Sequence, residues 1–248
     1  MSFQDHFSGH AAQYAQARPD YPPELFAWLA SLPGERELAW DVGCGNGQAA
    51  LALTDHFERV IATDASAAQV GQAERHRAID YRVEPAELPT LSLHSVDLIT
   101  VAQALHWFDL DAVYAIARGV LRHDGVIAAW CYGISRVEPT IDVVFDRLYR
   151  GLLAPFWPVE RKHIENAYAD LAFPFRAIAA PDFTLRQQWT LDQYLDYLRS
   201  WSASQRHLRE KGIDAVDAIQ PDMARAWGNA SQVREVVWPL TLKVGRPG

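Results

Sequence analysis

The first half of the chain alternates short apolar runs with stretches in which apolar residues recur every three or four positions. Such runs are typical of strands buried on both faces, and the longer spacing is typical of helices packed against them. The predicted strands are 38–42, 59–63, 80–83, 96–102 and 126–132, and the predicted helices are 47–57, 66–76 and one that begins after Asp109. This alternation predicts a mainly parallel sheet covered by helices on both sides, the doubly wound α/β class.

The second half has a different pattern, with longer helical segments and an irregular aromatic stretch at 153–175. One helix is predicted to begin at Pro139 and to bury Ile141, Val144, Phe145, Leu148 and Leu152. The other predicted elements are helices after Thr190 and within 203–227 and strands at 183–189 and 233–244. Because proline cannot donate to a strand ladder, Pro239 requires a bulge or a sheet edge in the last strand.

The length of 248 residues suits one α/β domain with an insertion and is too short for two independent domains. We therefore interpret the helical stretches as a cap on the sheet. The predicted division is a core of 24–135, 179–189 and 232–246, a cap of 136–178 and 190–230, and an N-terminal lid of 1–23.

The formal net charge of −8 argues against a nucleic-acid partner, because binding to phosphates needs a basic stripe. No apolar run approaches the length that spans a bilayer, and the first residues lack the apolar segment of a secretion signal. These features predict no nucleic-acid or membrane partner. The sequence does not predict the oligomeric state.

Cys44 and Cys131 both fall in predicted core elements, which suits a reducing cytoplasm and no disulfide. The nine histidines are scattered without the spacing of metal ligands. We therefore predict a cytoplasmic protein without a metal site.

A glycine-rich turn, Asp41-Val42-Gly43-Cys44-Gly45-Asn46-Gly47, follows the first predicted strand, and Asp64 ends the second. Glycines let backbone N–H groups approach a ligand closely, and a carboxylate at the next strand end is placed to accept from ribose hydroxyls. Here the third glycine comes one residue earlier than in the dinucleotide fingerprint, and Gln48 stands in its place.

Asp41, two residues before the first glycine, repels phosphate and favours a cation. S-adenosylmethionine carries a sulfonium and an ammonium, has a ribose and lacks phosphate, so it fits these charges better than a nicotinamide dinucleotide does. A nicotinamide-dependent oxidoreductase remains an alternative that a binding competition between the two cofactors would decide.

The chain resembles the class I S-adenosylmethionine-dependent methyltransferases, and within them the small-molecule branch that includes trans-aconitate methyltransferases. The resemblance is carried by 7–22 (FSGHAAQYAQARPDYP), 40–47 (WDVGCGNG), 62–66 (ATDAS), 86–89 (AELP), 95–108 (SVDLITVAQALHWF), 121–133, 201–203 (WSA) and 237–246 (VWPLTLKVGR). It implies a Rossmann-like, mainly parallel seven-stranded sheet whose last strand is antiparallel, with a helical substrate cap and S-adenosylmethionine as cofactor.

By this resemblance, Asp41 organises the loop and faces the methionine end, Asp64 holds the ribose, and Ala65 contacts the adenine. Many relatives have Asp where this chain has Pro85, so the contact to the adenine amino group passes to Glu87 or to backbone; Glu87 as a solvated loop charge is the alternative. The predicted cofactor-binding residues are Tyr14, Arg18, Asp41, Gly43, Cys44, Gly45, Asn46, Gly47, Asp64, Ala65, Ala86, Glu87 and Gln103.

The N-terminal segment contains Phe7, Tyr14, Arg18 and Tyr21, which are costly to leave in water. Prolines after Arg18 and Tyr21 impose an extended path. We interpret the segment as a lid in which Arg18 grips the methionine carboxylate, since arginine binds carboxylates bidentately. The alternative is a helix packed on the sheet, with Arg18 in a surface ion pair.

His106 follows the fourth predicted strand, at the sheet edge where open α/β folds bind ligands. It is a candidate general base, with pocket lining or a structural role as the alternatives. The predicted substrate-binding residues are His106, Trp107, Trp130, Tyr132, Trp157 and Trp201. Arg206 is a further candidate for recognising an acidic acceptor.

The predicted activity is methyl transfer from S-adenosylmethionine to a small molecule (EC 2.1.1), by in-line displacement that relies mainly on alignment. By resemblance, the first acceptor to test is a carboxylic acid; a phenol, an amine or a carbon centre stays open. A non-catalytic module that senses the cofactor is the alternative from another class. An open cavity beside the sulfonium would favour catalysis, and a filled one would favour the sensor.

Overall fold

The computed structural model describes residues 19–248 and confirms the α/β fold class. Its first elements are α1 (Pro23–Ala30), β1 (Leu38–Val42), α2 (Gln48–Leu53), β2 (Arg59–Asp64), α3 (Ala67–Gly71), β3 (Ile79–Val83), β4 (Val96–Ala102), α4 (Leu110–Val120) and β5 (Leu121–Tyr132). The remaining elements are α5 (Pro139–Asp146), α6 (Arg161–Glu165), β6 (Arg176–Ala177), β7 (Thr184–Trp189), α7 (Leu191–Arg199), α8 (Ser202–Lys211), α9 (Ala215–Trp227) and β8 (Arg234–Arg246).

The strands form one eight-stranded sheet in the order β3-β2-β1-β4-β5-β8-β6, with β7 also paired to β8. Strands β1 to β5 are parallel to their neighbours, and β8 is antiparallel to β5, as the resemblance implied. The strand that the sequence did not predict is β6, which has two residues and is therefore too short to produce a periodic pattern.

The order of the strands reverses between β1 and β4, and this reversal positions the site. In open α/β sheets the loops that leave the two strands at such a point diverge and leave a crevice at their carboxyl ends. Here these are the glycine loop after β1 and the 103–108 segment after β4, which contains a 3₁₀ turn at Leu105–Trp107.

Both faces of the sheet are covered, as a doubly wound fold requires. Alternate residues of β1, β2, β4 and β5 enter two separate apolar clusters, one with α1 and α2 and one with α4. A third cluster joins the helices of the second half with β7 and the start of β8. Ile164, Tyr168 and Phe175, from the segment predicted to belong to the cap, pack with the α4 cluster. The division into core, cap and lid stays a prediction.

Pro239 lies where β8 changes partners. Residues 234–239 of β8 pair with β7, and residues 240–245 pair with β5. The next N–H, that of Leu240, donates to the carbonyl of Phe183 at 3.0 Å. The proline predicted to require a bulge or a sheet edge therefore lies where β8 changes from pairing with β7 to pairing with β5.

The predicted turn His123-Asp124-Gly125 lies inside β5 instead. Val96 pairs with Leu121 and Leu98 pairs with Val126, so β5 carries extra residues at this point as a bulge. The helices predicted at 47–57 and 66–76 are shorter, at Gln48–Leu53 and Ala67–Gly71. The first of them starts one residue late because Gly47 adopts a left-handed conformation.

The helix predicted from Pro139 changes geometry in its second half. After α5 the chain forms a wide π-helical turn at Arg147–Leu152. This turn buries Tyr149 and Leu153 and leaves Leu152, predicted to be in the core, 39% exposed. Single π turns are frequent at functional sites, and this one places the ring of Tyr149 4.8 Å from that of Trp157, a residue of the cavity wall described below.

No helix between residues 19 and 248 is both long enough and apolar enough to cross a membrane.

Candidate active site

The glycine loop is held to the end of β2 by backbone hydrogen bonds. Gly43, Gly45 and Gly47 have φ of 66°, 56° and 85°, the left-handed region that favours glycine. The N–H groups of Gly43 and Cys44 both donate to the carbonyl of Thr63, at 2.8 and 3.0 Å. A Cβ on Gly43 would lie 2.7 Å from Ala104 and 2.9 Å from Phe108, so the crevice requires glycine here.

Asp64 braces the same loop from the neighbouring strand. Its Oδ2 accepts from the N–H of Gly45 at 2.9 Å, and its Oδ1 accepts from the N–H of Ser66 at 2.8 Å. Ser66 in turn caps α3. The carboxylate is therefore fixed at the carboxyl edge of β2, where the sequence predicts the ribose.

Asp41 is fully buried and only half satisfied. Its Oδ1 accepts from the hydroxyl of Thr100 at 2.8 Å, while its Oδ2 has no hydrogen-bond partner among residues 19–248. Burial raises the pKa of this carboxyl to about 7; the charge of Asp64 adds to the rise and the Thr100 hydrogen bond opposes it. A buried acceptor of this kind beside the loop gains from a cationic ligand.

Gln69 also presents an unpartnered acceptor here. Its buried Oε1 has no hydrogen-bond partner in the described chain and lies 3.9 Å from where a Cβ of Gly45 would stand. Two unpartnered acceptors next to close-approach glycines fit a ligand that donates hydrogen bonds and carries positive charge, as S-adenosylmethionine does.

Three other predicted cofactor residues, Ala86, Glu87 and Gln103, make packing contacts or hydrogen bonds that hold the loops around the site. Ala86 is buried in the α4 cluster, and the carboxylate of Glu87 accepts from the N–H of Asp109 at 3.1 Å, which ties its loop to α4. Gln103 has φ of 56°, and its side-chain amide makes two hydrogen bonds, of 3.1 and 3.2 Å, to the backbone of Tyr132. Gln103 thereby joins the carboxyl ends of β4 and β5.

Of the predicted lid, Phe7, Tyr14 and Arg18 lie outside the described residues. The chain that follows them packs on the site: Gln48 donates to the carbonyl of Pro19 and to Asp20, at 3.2 and 3.0 Å. Gln48, which replaces the third glycine of the dinucleotide fingerprint, therefore fastens the end of the predicted lid to α2.

A cavity of about 60 Å³ lies at the same sheet edge. It is lined by Gln103, His106, Trp107, Tyr132, Gly133, Trp157, Pro158, Arg161, Ile164, Tyr197, Trp201 and Ser202. The structure thus brings together five predicted substrate residues, namely His106, Trp107, Tyr132, Trp157 and Trp201.

Trp130, also predicted to bind substrate, does not line the cavity. It is fully buried under Tyr21 and Phe26, whose rings lie 5.5 and 6.2 Å from its own. Trp130 lies two residues before the end of β5, on the same face as Tyr132, so Tyr132 reaches the edge and Trp130 stays in the core.

His106 is buried, and its Nδ1 lies 2.9 Å from the hydroxyl of Tyr168. Burial, together with the charges of the nearby Arg161 and His163, lowers the pKa of His106 to about 3. Burial also raises the pKa of Tyr168 well above its ordinary value, so the phenol keeps its proton. We therefore assign a phenol that donates to Nδ1, which leaves the proton of the neutral imidazole on Nε2.

One wall of the cavity is aromatic. The ring of Trp157 lies 4.8 Å from Tyr149 and 5.4 Å from Trp201, and the indole N–H of Trp157 donates to the Tyr149 carbonyl at 3.1 Å. Tyr197 stands 5.5 Å from Trp201 on the other side. These contacts fix the rings through each other.

Arg161 is the functional candidate that the sequence reasoning missed. It lies in the cavity wall, whereas the arginine proposed from sequence, Arg206, pairs with Glu210 at 2.6 Å on the exposed side of α8. Arg161 belongs to the irregular aromatic stretch, but nothing in the pattern separates it from its exposed neighbour Lys162. Only the packing of Trp157 and Tyr149 shows which of the two faces the cavity.

Comparison with known proteins agrees with this geometry. The family model of a methyltransferase domain matches residues 40–129, which contain the glycine loop, Asp64 and His106. A Dictyostelium discoideum protein that bears a methyltransferase name is 32% identical over 247 residues, covering 97% of this chain and 94% of that protein. The chain belongs to the class I S-adenosylmethionine-dependent methyltransferases.

Further relatives support the assignment of this chain to the methyltransferases. A solved structure from Anaeromyxobacter dehalogenans, described as a type II methyltransferase, is 46% identical, with a TM-score of 0.87, and covers 93% of this chain and 99% of its own. A Saccharomyces cerevisiae protein named as an S-adenosylmethionine-dependent methyltransferase is 33% identical over 131 residues, which are 49% of this chain and 45% of that protein. These names specify no acceptor, so the trans-aconitate branch stays a prediction.

Proposed function

We propose that this methyltransferase methylates a carboxylate of a small-molecule acceptor and forms a methyl ester. The observation that carries the proposal is the contact between His106 Nδ1 and the Tyr168 hydroxyl, at 2.9 Å. With the phenol donating to Nδ1, the Nε2 of the neutral imidazole carries the proton, so neither nitrogen of His106 is available to take a proton from an acceptor. A phenol or an amine must lose a proton during methyl transfer, which favours a general base near the acceptor. A carboxylate is already anionic at neutral pH and needs none.

The proposed cofactor site is the crevice around the glycine loop. Asp41 faces the cationic methionine end, and Asp64, held by the N–H groups of Gly45 and Ser66, accepts from the ribose hydroxyls. Ala65 and the Ala86-Glu87 loop flank the adenine. When bound, S-adenosylmethionine supplies a methyl group already activated by the sulfonium. The work left to the chain is to align the acceptor and exclude water.

The charge of the cavity also supports an acidic acceptor. Among the described residues that line it there is an arginine and no Asp or Glu. An amine acceptor, which is cationic in its resting form, would be repelled there, and a carboxylate would be attracted. The cavity is narrow but not filled by side chains, which favours catalysis over the sensor alternative.

The test is a screen of tritiated methyl transfer from labelled S-adenosylmethionine to carboxylic acids, including trans-aconitate and phenylacetate, together with phenols and amines. Mild alkali hydrolyses methyl esters and releases volatile labelled methanol, whereas methyl ethers and methylamines keep the label. We expect label that alkali releases, on acids only. Label that survives alkali would overturn the carboxylate acceptor and leave the methyltransferase family assignment intact.

The cofactor site is tested separately by calorimetry with Asp64→Ala. We expect affinity for S-adenosylmethionine to fall about tenfold, which corresponds to about 1.4 kcal/mol. The control is Asp80→Asn, which removes a half-exposed carboxylate of β3 that pairs with Arg82. Equal affinity of Asp64→Ala and the wild-type protein would remove Asp64 from the proposed site.

A further inference from the structure

We infer that Arg161 binds a carboxylate of the acceptor and thereby restricts this enzyme to anionic substrates; the inference rests on the proposed function. Arg161 begins α6 and lies in the cavity wall with His106 and Trp157. Its assignment as a specificity-determining residue follows from the aromatic contacts that hold its guanidinium and from the absence of a counter-ion among the described residues.

The guanidinium of Arg161 is fixed by aromatic side chains. Its central carbon lies 4.9 Å from the ring centre of Trp157 and 5.4 Å from that of Tyr149. Its Nε donates to the hydroxyl of Tyr149 at 2.8 Å. That hydroxyl donates in turn to Glu165 at 2.6 Å, so its oxygen is turned to accept from Arg161. An arginine held in this way has already lost most of the conformational freedom that binding would cost.

The two terminal nitrogens of Arg161 have no hydrogen bond or ion pair to any residue of 19–248. Arg199 shows the usual arrangement by contrast, because its guanidinium pairs with Asp196, Asp214 and Asp217. Glu165 accepts from the Tyr149 hydroxyl, which in turn accepts from Arg161, but Glu165 does not pair with the guanidinium itself. Burial raises the pKa of Tyr149 to about 12, so the phenol stays neutral and does not cancel the arginine charge.

A partly enclosed cation without a counter-ion is stabilised by an anion that enters the cavity. The two free nitrogens form one edge of the guanidinium fork, the edge that pairs with both oxygens of a carboxylate. The cavity of about 60 Å³ holds a group of that size. The positive charge already acts on the cavity, since Arg161 contributes to the lowered pKa of His106.

The test compares Arg161→Gln, Arg161→Lys and the control Arg206→Gln in the full-length enzyme. Phenylacetate, trans-aconitate and the uncharged phenylacetamide serve as probes, with S-adenosylhomocysteine bound. Binding is followed by quenching of tryptophan fluorescence, because Trp107, Trp157 and Trp201 surround the cavity. For any acid that accepts methyl, KM and kcat are measured as well.

We expect at least one acid to bind the wild-type enzyme at least tenfold more tightly than the amide. Arg161→Gln should weaken its binding about tenfold or more, at least about 1.4 kcal/mol, and raise KM more than it lowers kcat. Arg161→Lys should recover only part of the loss, because lysine keeps the charge but not the fork. Arg206→Gln and the affinity for S-adenosylhomocysteine should not change.

Equal binding of acids and amide to the wild-type enzyme, no binding of any acid probe, or acid binding that survives in Arg161→Gln would overturn the role of Arg161. Circular dichroism and the melting temperature confirm that each variant is folded. Failure of the proposed function has a different signature, alkali-stable label or transfer to phenols and amines, and it is read in a separate assay.

Discussion

The glycine-loop crevice and the aromatic cavity share one edge of the sheet, but the chain builds them differently. Most polar contacts of the crevice lie within one stretch, 41–71, between backbone groups and a carboxylate, such as that between Gly45 and Asp64, 19 residues apart. The cavity gathers segments from 103 to 202 through side chains, such as His106 and Tyr168, 62 residues apart.

Under the proposed function, this difference separates cofactor binding from acceptor binding. A backbone cradle depends on a few glycines and acids at fixed spacing, so it tolerates change elsewhere in the chain. A cavity made of packed rings can be reshaped by substitutions in the second half without disturbing the cradle. Such an arrangement would let the acceptor change while the cofactor stays the same, in line with the general rule that function is located in sites carried on a shared fold.

The largest effect is expected from Trp201→Ala. Trp201 is buried in the third cluster against Phe145, Tyr149 and Tyr197. Removing a buried tryptophan costs about 3–5 kcal/mol, so the free energy of unfolding measured with urea should fall by that amount. The affinity of the folded variant for S-adenosylmethionine, measured by calorimetry, should stay within about threefold of wild type, which is less than 1 kcal/mol.

Trp201→Phe is the matched variant and should lose much less stability, because it keeps an aromatic ring. If the folded Trp201→Ala protein lost cofactor affinity tenfold or more, the two regions would be coupled and the comparison would break.

Gly43→Ala, unlike Trp201→Ala, should weaken cofactor binding as well as stability. The added Cβ meets Ala104 and Phe108 and sits on a backbone with φ of 66°. Overpacking and a left-handed alanine together cost about 2–3 kcal/mol of unfolding free energy, and displacement of the loop should weaken cofactor binding at least tenfold. Gly71→Ala, at a helical glycine with open space around it, is the control and should change neither quantity by more than about 1 kcal/mol. Full cofactor affinity in Gly43→Ala would mean that the crevice does not hold the ligand.

The smallest effect sharpens the role of Asp41 through pH. Burial raises its pKa from 3.8 to about 7 in the folded protein, so its contribution to stability is present below pH 3.8 and is lost as the pH rises through about 7. Cofactor binding needs the ionised form and should strengthen about tenfold between roughly pH 6 and 8, following the ionised fraction. Calorimetry across this range should show that Asp41→Asn binds the cofactor more weakly and with little dependence on pH. At alkaline pH, Asp41→Asn should unfold at a higher urea concentration than the wild-type protein. A parallel pH dependence in both proteins would assign the effect to another group.

The sequence anticipated the sheet well because its signals are local. The run 96–102 became β4 with the predicted bounds, and Asp109 caps α4 through the N–H of Ala112. The sequence predicted the structure less well where the conformation of one element depends on its packing against another. The bulge in β5, the π turn that buries Leu153 in place of Leu152, and the core position of Trp130 each depend on a partner strand or a covering ring.

The candidate site divides along the same line. The prediction of a phosphate-free nucleoside site rests only on the spacing of Asp41, Gly43, Gly45 and Asp64. It needs no tertiary information because these residues act through backbone geometry and charge at two adjacent strand ends. His106 and Trp201 were both predicted to bind the substrate, but nothing in the sequence predicted the geometry of either. Tyr149 and Arg161 were not predicted at all, since their positions depend on a π turn and on ring contacts that have no signature in the chain.

By itself, the sequence determined the fold class and the family, since each follows from periodicity or from a short motif. The tertiary structure decided which arginine reaches the cavity, which tryptophan stays in the core and that His106 is neutral. The physical reason is that burial, ring packing and the loss of water around a charge depend on contacts between segments dozens of residues apart.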